Sequence, residues 1–282
     1  MQKRLLIAGL TLGAVGAAAF GFVFKRAPEV EQVFKERGIS GTFVMYEAAA
    51  DTMLVWNEER ATQRFAPAAT FRIASALIGL DVGAVKSIDE RVPYQPARYR
   101  NYDAKEGVRP YMYGSRAFAS TPTRHMELRK EMRIAHSPLF RQLARQIGDE
   151  RMRVGMAKLA YGNMQSSKEV DGFWRDGSLQ ISAVEQAQFL SKLAKGRLPV
   201  GKKALEQTRE LTLQEQTVEY KLHSKSGLLN TTGKSQLGWW VGWIERENEV
   251  SSFALNVDLT GSTNPQVLAV IGRECLSALG KL

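Results

Sequence analysis

Cysteine is almost missing from this chain. Of 282 residues only Cys275 carries a thiol, so no internal disulfide and no cysteine-based zinc cluster can form. Histidine is nearly as scarce, and His125, His136 and His223 show no metal-ligand spacing. No metal and no cofactor is therefore expected. Internal repeats and low-complexity tracts are missing too, which argues against solenoids and collagen-like chains. Acid is in deficit: 29 Asp and Glu against 39 Lys and Arg leave a formal net charge of +10. That balance suits anionic surroundings such as cell wall, lipid headgroups or nucleic acid, without choosing among them. The rest is ordinary globular composition, 44% hydrophobic and 24% charged, enough for a full core. Disorder and multi-pass membrane folds do not fit it.

One long apolar run is present. Lys3 and Arg4 precede an uncharged stretch from Leu5 to Phe24, and Lys25 and Arg26 follow it. Its 20 residues, rising about 1.5 Å each as helix, would span a bilayer core of about 30 Å. Two readings stay open. One is an inner-membrane anchor through residues 5–24. The other is a signal peptide, with Leu5 to Gly16 as its apolar region and Ala17-Ala18-Ala19 near the cleavage site. Both place the chain from about Ala27 outside the cytoplasm, in the periplasm or a similar extracytoplasmic space. The expected organisation is then residues 1–26 as targeting segment, 27–36 as linker and 37–282 as one domain.

Within that domain, Gly41–Tyr46 and Thr52–Trp56 read as a hairpin. Thr70–Gly83 is apolar and small, consistent with a buried helix entered after Pro67. Residues 139–148 and 150–160 carry helical periodicity, with a break at Gly148-Asp149. Ser182-Ala183-Val184-Glu185 is a capping-box pattern opening an amphipathic helix to Gly196. Residues 218–225, 238–245 and 249–258 read as strands, the last two joined by a tight turn, and 265–281 as a closing helix. Strands at both ends with helices between predict an α+β fold, with an antiparallel sheet drawn from both termini, flanking helices and a helical subdomain.

Residues 91–133 differ in composition: ten Lys or Arg, four acids and five tyrosines (94, 99, 102, 111, 113). A polyanion-binding surface is one reading, by charge and aromatic stacking. The favoured reading is a solvated insertion packed onto the body by its tyrosines, since charge runs are usually exposed faces. No nucleic-acid partner is expected.

Several short words then fall in one order. They are Pro67-Ala68-Ala69-Thr70-Phe71-Arg72, Phe140-Arg141-Gln142-Leu143-Ala144-Arg145, Tyr161-Gly162-Asn163 and Phe173-Trp174. His223-Ser224-Lys225-Ser226-Gly227 and Gly238-Trp239-Trp240-Val241-Gly242-Trp243 complete them. Their order and spacing closely resemble the class D β-lactamases, the oxacillinases of the penicillin-recognising serine enzymes, across nearly all of residues 37–282. The resemblance implies a β-lactamase/transpeptidase-like fold. It also implies a serine opening a helix as nucleophile and a carbamylated lysine at i+3 as base. A tryptophan at the position of Trp174 would hold the carbamate. Lys225, Ser226 and Gly227 would form the strand edge that helps bind substrate.

The departures fall on the chemistry. The nucleophile position is Ala69, whose methyl cannot attack a carbonyl. The base position is Arg72, a guanidinium that stays protonated and cannot form the lysine carbamate. The serine of the second family motif, just ahead of Phe140, is replaced by Ala135, with Ser137 two positions late. The arginine expected to take the substrate carboxylate has Arg273 as its nearest candidate. No serine in the chain has a lysine three residues on, and Thr231 with Lys234 lies in a glycine-containing loop. Thr70 points about 100° away from Ala69 around a helix. Packing is the plain alternative for Phe173, Trp174 and the three tryptophans of residues 239–243, and a structural turn for Tyr161-Gly162-Asn163. Lys225 is the strongest retained functional residue, with a solvated lysine as its alternative.

These departures favour a pseudo-enzyme that binds peptidoglycan peptide, β-lactam or an envelope protein without an acyl-enzyme. The rival is an active β-lactam hydrolase or penicillin-binding protein with unconventional site residues. A third reading is a structural partner acting through the basic insertion, with salt-dependent binding.

Overall fold

The computed structural model describes residues 23–94, 124–133, 138–231, 235–247, 249–260 and 264–282. Its centre is a seven-stranded sheet. The strands are β1 (Val23–Arg26), β2 (Ser40–Glu47), β3 (Thr52–Trp56), β6 (Leu213–Gln216), β7 (Lys221–Asn230), β8 (Ser235–Arg246) and β9 (Glu249–Thr260). Their order is β1-β3-β2-β9-β8-β7-β6. All pairs are antiparallel except β1 with β3. Both termini feed the sheet, as the strand pattern predicts. β4 (Val92–Tyr94) and β5 (Arg124–Met126) form a separate small ladder.

Helices cover both faces. α1 (Pro28–Arg37) and α9 (Gln266–Ala278) lie on one; Val30, Phe34, Leu268, Ile271 and Leu276 pack there against Phe43, Phe253 and Leu255. The larger core lies on the other face. It gathers α3 (Arg72–Asp81), α4 (Leu128–Glu131), α5 (Pro138–Ile147), α6 (Asp149–Leu159), α7 (Ala183–Ala194) and α8 (Lys202–Thr212). α2 (Glu58–Thr62) is a short turn of helix after β3. The tryptophan run reads out the strand period: Trp239 and Trp243 join the large core, and Trp240 the smaller one. The capping box forms in full, the Glu185 N–H donating to Ser182 Oγ and the Ser182 N–H to the Glu185 carboxylate.

Two expectations are corrected. Residues 27–36 are not a linker: Ala27 precedes α1 as its N-cap, and 28–36 lie within the helix. Pro28 sits in its first turn with Glu29 and Glu31, Lys35 and Arg37 close it, and Gly38 caps it at φ 58°. Val30 and Phe34, one turn apart, supply the buried stripe, and Arg37 pairs with Glu274 of α9. The strand expected over 218–225 begins at Lys221 instead. Residues 217–220 form a turn closed by Thr217 N–H to Tyr220 O, and Val218 is fully exposed at its tip. The last residues of the apolar run, Val23 and Phe24, belong to β1; the rest of it lies outside the described residues. Among the described residues no helix is long and apolar enough to cross a membrane.

His223 gives a pH prediction. It is buried, stacks on Trp243 with ring centroids 4.3 Å apart, and donates through Nδ1 to the Arg209 carbonyl at 3.0 Å. Its Nε2 has no hydrogen-bond partner. Burial holds its pKa down at about 4, against the opposing pull of Glu245. An unfolded histidine titrates near 6.5, so its share of stability is intact above that pH. It is lost progressively as pH falls from about 6.5 towards 4. The melting temperature is expected to drop between pH 7 and pH 5. In His223→Gln this drop is expected to be shallower; equal slopes would refute the assignment.

Candidate functional site

The site helix begins as a single 3-10 turn, Ala68–Phe71, that runs directly into α3. Several contacts fix it. The Ala68 N–H donates to the Trp174 carbonyl at 3.0 Å, and the Trp239 indole N–H to the Ala66 carbonyl at 2.9 Å. Thr70 Oγ1 donates to Pro67 O at 2.6 Å and accepts from Gln186 at 2.9 Å. Ala68 itself is left-handed, at φ 50°. Beneath the turn Phe71 packs edge-on to Phe173 and Tyr161 and stacks on Trp174 at 5.6 Å.

β7 passes beside this turn. A side chain on Gly227 would meet the backbone: its Cβ would lie 3.0 Å from Ala69 N, 3.1 Å from Thr70 N and 3.2 Å from Pro67 O. Only glycine allows so close an approach without displacement. Lys225 lies two residues earlier on the strand and so shares that face. Opposite Gly227 and Lys225 stand Trp239 and Val241, both in the large core. β6 pairs with β7 only as far as His223. From Ser224 onward the outer edge of β7 has no strand partner among the described residues.

A cavity of about 360 Å³ opens along that edge. Lys225 and Ser226 form one wall, Met132 and Arg133 another, and Trp240 and Pro265 a third. None of the described residues lining it is acidic. Lys225 is 6% exposed, and burial, then the nearby Arg72 charge, lowers its pKa to about 7. Arg72 is buried too. Its Nη1 donates to the Glu131 carbonyl at 3.3 Å, and its guanidinium lies 5.1 Å from the Phe140 ring centre.

The expected site residues thus separate. Ala69, Arg72, Lys225 and Gly227 come together at the crossing of β7 and the site helix, and Lys225 and Ser226 face the cavity. Trp174 is 6% exposed, lies in the aromatic cluster and does not line the cavity. Arg273 is not the free carboxylate anchor that the sequence suggests. Its Nη1 donates to Glu215 at 2.9 Å, and it does not line the cavity. Tyr161-Gly162-Asn163 is a structural turn, with Asn163 Nδ2 donating to Ser178 O at 2.8 Å and Oδ1 accepting from Gln180 N at 3.0 Å. Ala135 lies outside the described residues, as do residues 95–123 of the basic insertion. Arg129, at the end of that insertion, is tied to the body by Asp89 at 2.5 Å and Glu210 at 2.8 Å. Nothing in the sequence marks Arg133 beyond its place in a basic stretch. Among the described residues no group of three or more His, Cys, Asp or Glu is placed to hold a metal.

A sheet built from both termini, a helix opening beside a Lys-Ser-Gly strand edge, and a cavity along that edge define the penicillin-recognising transpeptidase scaffold. A family model for the penicillin-binding-protein transpeptidase domain matches residues 38–276. Within that scaffold, the chain belongs to the class D β-lactamase family. The probable β-lactamase YbxI of Bacillus subtilis is 36% identical over 258 residues, 91% of this chain and 88% of that protein. The class D β-lactamase FUS-1 (OXA-85) of Fusobacterium nucleatum subsp. polymorphum superposes with a TM-score of 0.79 at 32% identity. It covers 92% of this chain and 100% of its own. The C-terminal domain of the BlaR penicillin receptor of Bacillus licheniformis also superposes at 0.79, with 25% identity, over 93% of this chain and 98% of its own.

Proposed function

We propose that this protein is a non-hydrolysing member of the class D family. It takes a β-lactam or a peptidoglycan stem peptide into the cleft beside β7 and makes no serine ester. The observation that carries this reading is Ala69 and Arg72 at the head of the site helix, crossed by β7 at Gly227, with a cavity lined by Lys225 and Ser226 along the same strand. Lys225 and Ser226 support the positioning of a ligand, and at positions 69 and 72 a methyl group and a guanidinium stand in place of a nucleophilic hydroxyl and a titratable base. A receptor-type relative, the BlaR penicillin receptor, adds support for binding as the outcome. With Leu5–Phe24 as targeting segment, the domain works outside the cytoplasm.

Calorimetric titration with benzylpenicillin is expected to show saturable one-to-one binding. Nitrocefin is expected to be opened by no more than one equivalent per protein molecule. Sustained turnover, abolished by Lys225→Ala, would replace this reading with the hydrolase one.

A further inference from the structure

We propose that Lys225 is an acylation site: its Nζ opens a bound β-lactam and keeps it as a stable amide. The inference rests on the binding reading above and deepens it. Lys225 lies on the strand face that Gly227 presses against the Ala69 amide, close enough to Arg72 of the site helix to feel its charge, and it lines the cavity at that strand edge. It is 6% exposed to solvent yet forms part of the cavity wall. A ligand in the cavity can therefore reach an amine that is otherwise out of water.

Burial, and then the charge of Arg72, shift that amine towards its neutral form. Arg72 on α3 and Arg133 after α4 are both cationic. β6 presents Gln214, β8 presents Trp240, and the α9 side presents Asn264, Pro265, Gln266 and Ala269. Among the described residues no carboxylate lines the cavity; Glu131, next in sequence to Met132 of that lining, is buried on α4, where its carbonyl accepts from Arg72. A desolvated lysine beside a second cation is a recognised way of making a nucleophilic amine. With a pKa of about 7, about half of the molecules carry the free amine at neutral pH.

The step balances without any other reactant. The Nζ lone pair forms a bond to the strained lactam carbonyl carbon, and the C–N bond of the four-membered ring breaks. One proton from Nζ passes to the released ring nitrogen. The product is a secondary amide and a ring-opened amine. Amides hydrolyse far more slowly than esters, so the protein is consumed one-for-one, as a trap or recorder of β-lactam rather than a catalyst.

The test is intact-mass analysis of the full chain with benzylpenicillin, followed by tryptic mapping. Expected is one whole penicillin added per molecule, resistant to neutral hydroxylamine, with trypsin no longer cutting after Lys225. The rate is expected to rise about tenfold from pH 6 to pH 8 and then level off. An exposed lysine, titrating near 10.4, would gain about 100-fold over that range and keep rising. Lys225→Arg keeps the charge and removes the nucleophile. With an unchanged melting temperature it is expected to lose the adduct, and tryptic mapping is expected to find no replacement site. Four results would overturn the proposal: a hydroxylamine-labile adduct, labelling spread evenly over surface lysines, labelling unchanged in Lys225→Arg, or reversible binding with no adduct. The last leaves the non-covalent reading standing. No heat of binding and no adduct would remove both.

Discussion

The Ala69→Ser/Arg72→Lys double variant is expected to take up penicillin as a hydroxylamine-labile ester, where the wild-type chain is expected to form none. Removing a serine nucleophile from a comparable acyl-transfer site costs about 10⁶-fold in kcat, so restoring one in an intact pocket should raise ester formation by at least about 10³-fold. The pocket around position 69 argues for intact geometry. The turn is pinned from Trp174 and Trp239, and Gly227 still leaves room for the backbone of β7 to close on it. Both changes are needed. With Ala69→Ser alone, the new hydroxyl would face a guanidinium that cannot accept its proton. A lysine at position 72, near Lys225 and in the same buried site, would share the pressure towards the neutral amine. Gel fluorescence with a labelled penicillin, before and after hydroxylamine, reads the result. A folded double variant that stays ester-free would mean that the cleft no longer presents a carbonyl to the site helix.

Trp239→Ala is expected to cause the largest loss of stability among single substitutions at the site. The indole is fully buried in the main core, and its N–H satisfies the Ala66 carbonyl at 2.9 Å. Truncation of a buried tryptophan costs about 3–5 kcal/mol, and an orphaned buried carbonyl adds about 1–3 kcal/mol. At about 2–4 °C per kcal/mol for a domain of this size, the melting temperature should fall by about 10–30 °C. Trp239→Phe keeps most of the ring but not the donor, and should fall by much less. Penicillin binding is expected to weaken in both, since Ala66 leads into the turn that carries Ala69. A drop of under about 3 °C in Trp239→Ala would show that the turn is held by other contacts.

Periodicity made most of the fold legible. Alternation along residues 239–243 assigned the three tryptophans to their faces, and Ser182-x-x-Glu185 marked a helix start that forms both of its hydrogen bonds. α1 escaped because its apolar stripe is two residues wide. Its real signals were in the termini: Pro28, the early acids, the late bases and Gly38. The candidate site was legible where words are contiguous, at 67–72 and 223–227. It was not legible where the cavity is assembled from distant segments: Arg133, Gln214 and Asn264 meet only through the tertiary fold. Arg273 shows the same limit from the other side. Nothing local says that Glu215, 58 positions away, already holds its charge.

Ala68 carries a consequence for how such a site ages. A left-handed alanine costs the backbone about 1–2 kcal/mol relative to an ordinary one, and neighbours must hold it there. Those neighbours, the carbonyl of Trp174 and the indole behind Ala66, belong to the core and not to the reaction. Selection for packing therefore preserves the bend whether or not a hydroxyl follows it. Catalytic groups can be exchanged one atom at a time, while the platform that once aimed them is kept on by the rest of the molecule.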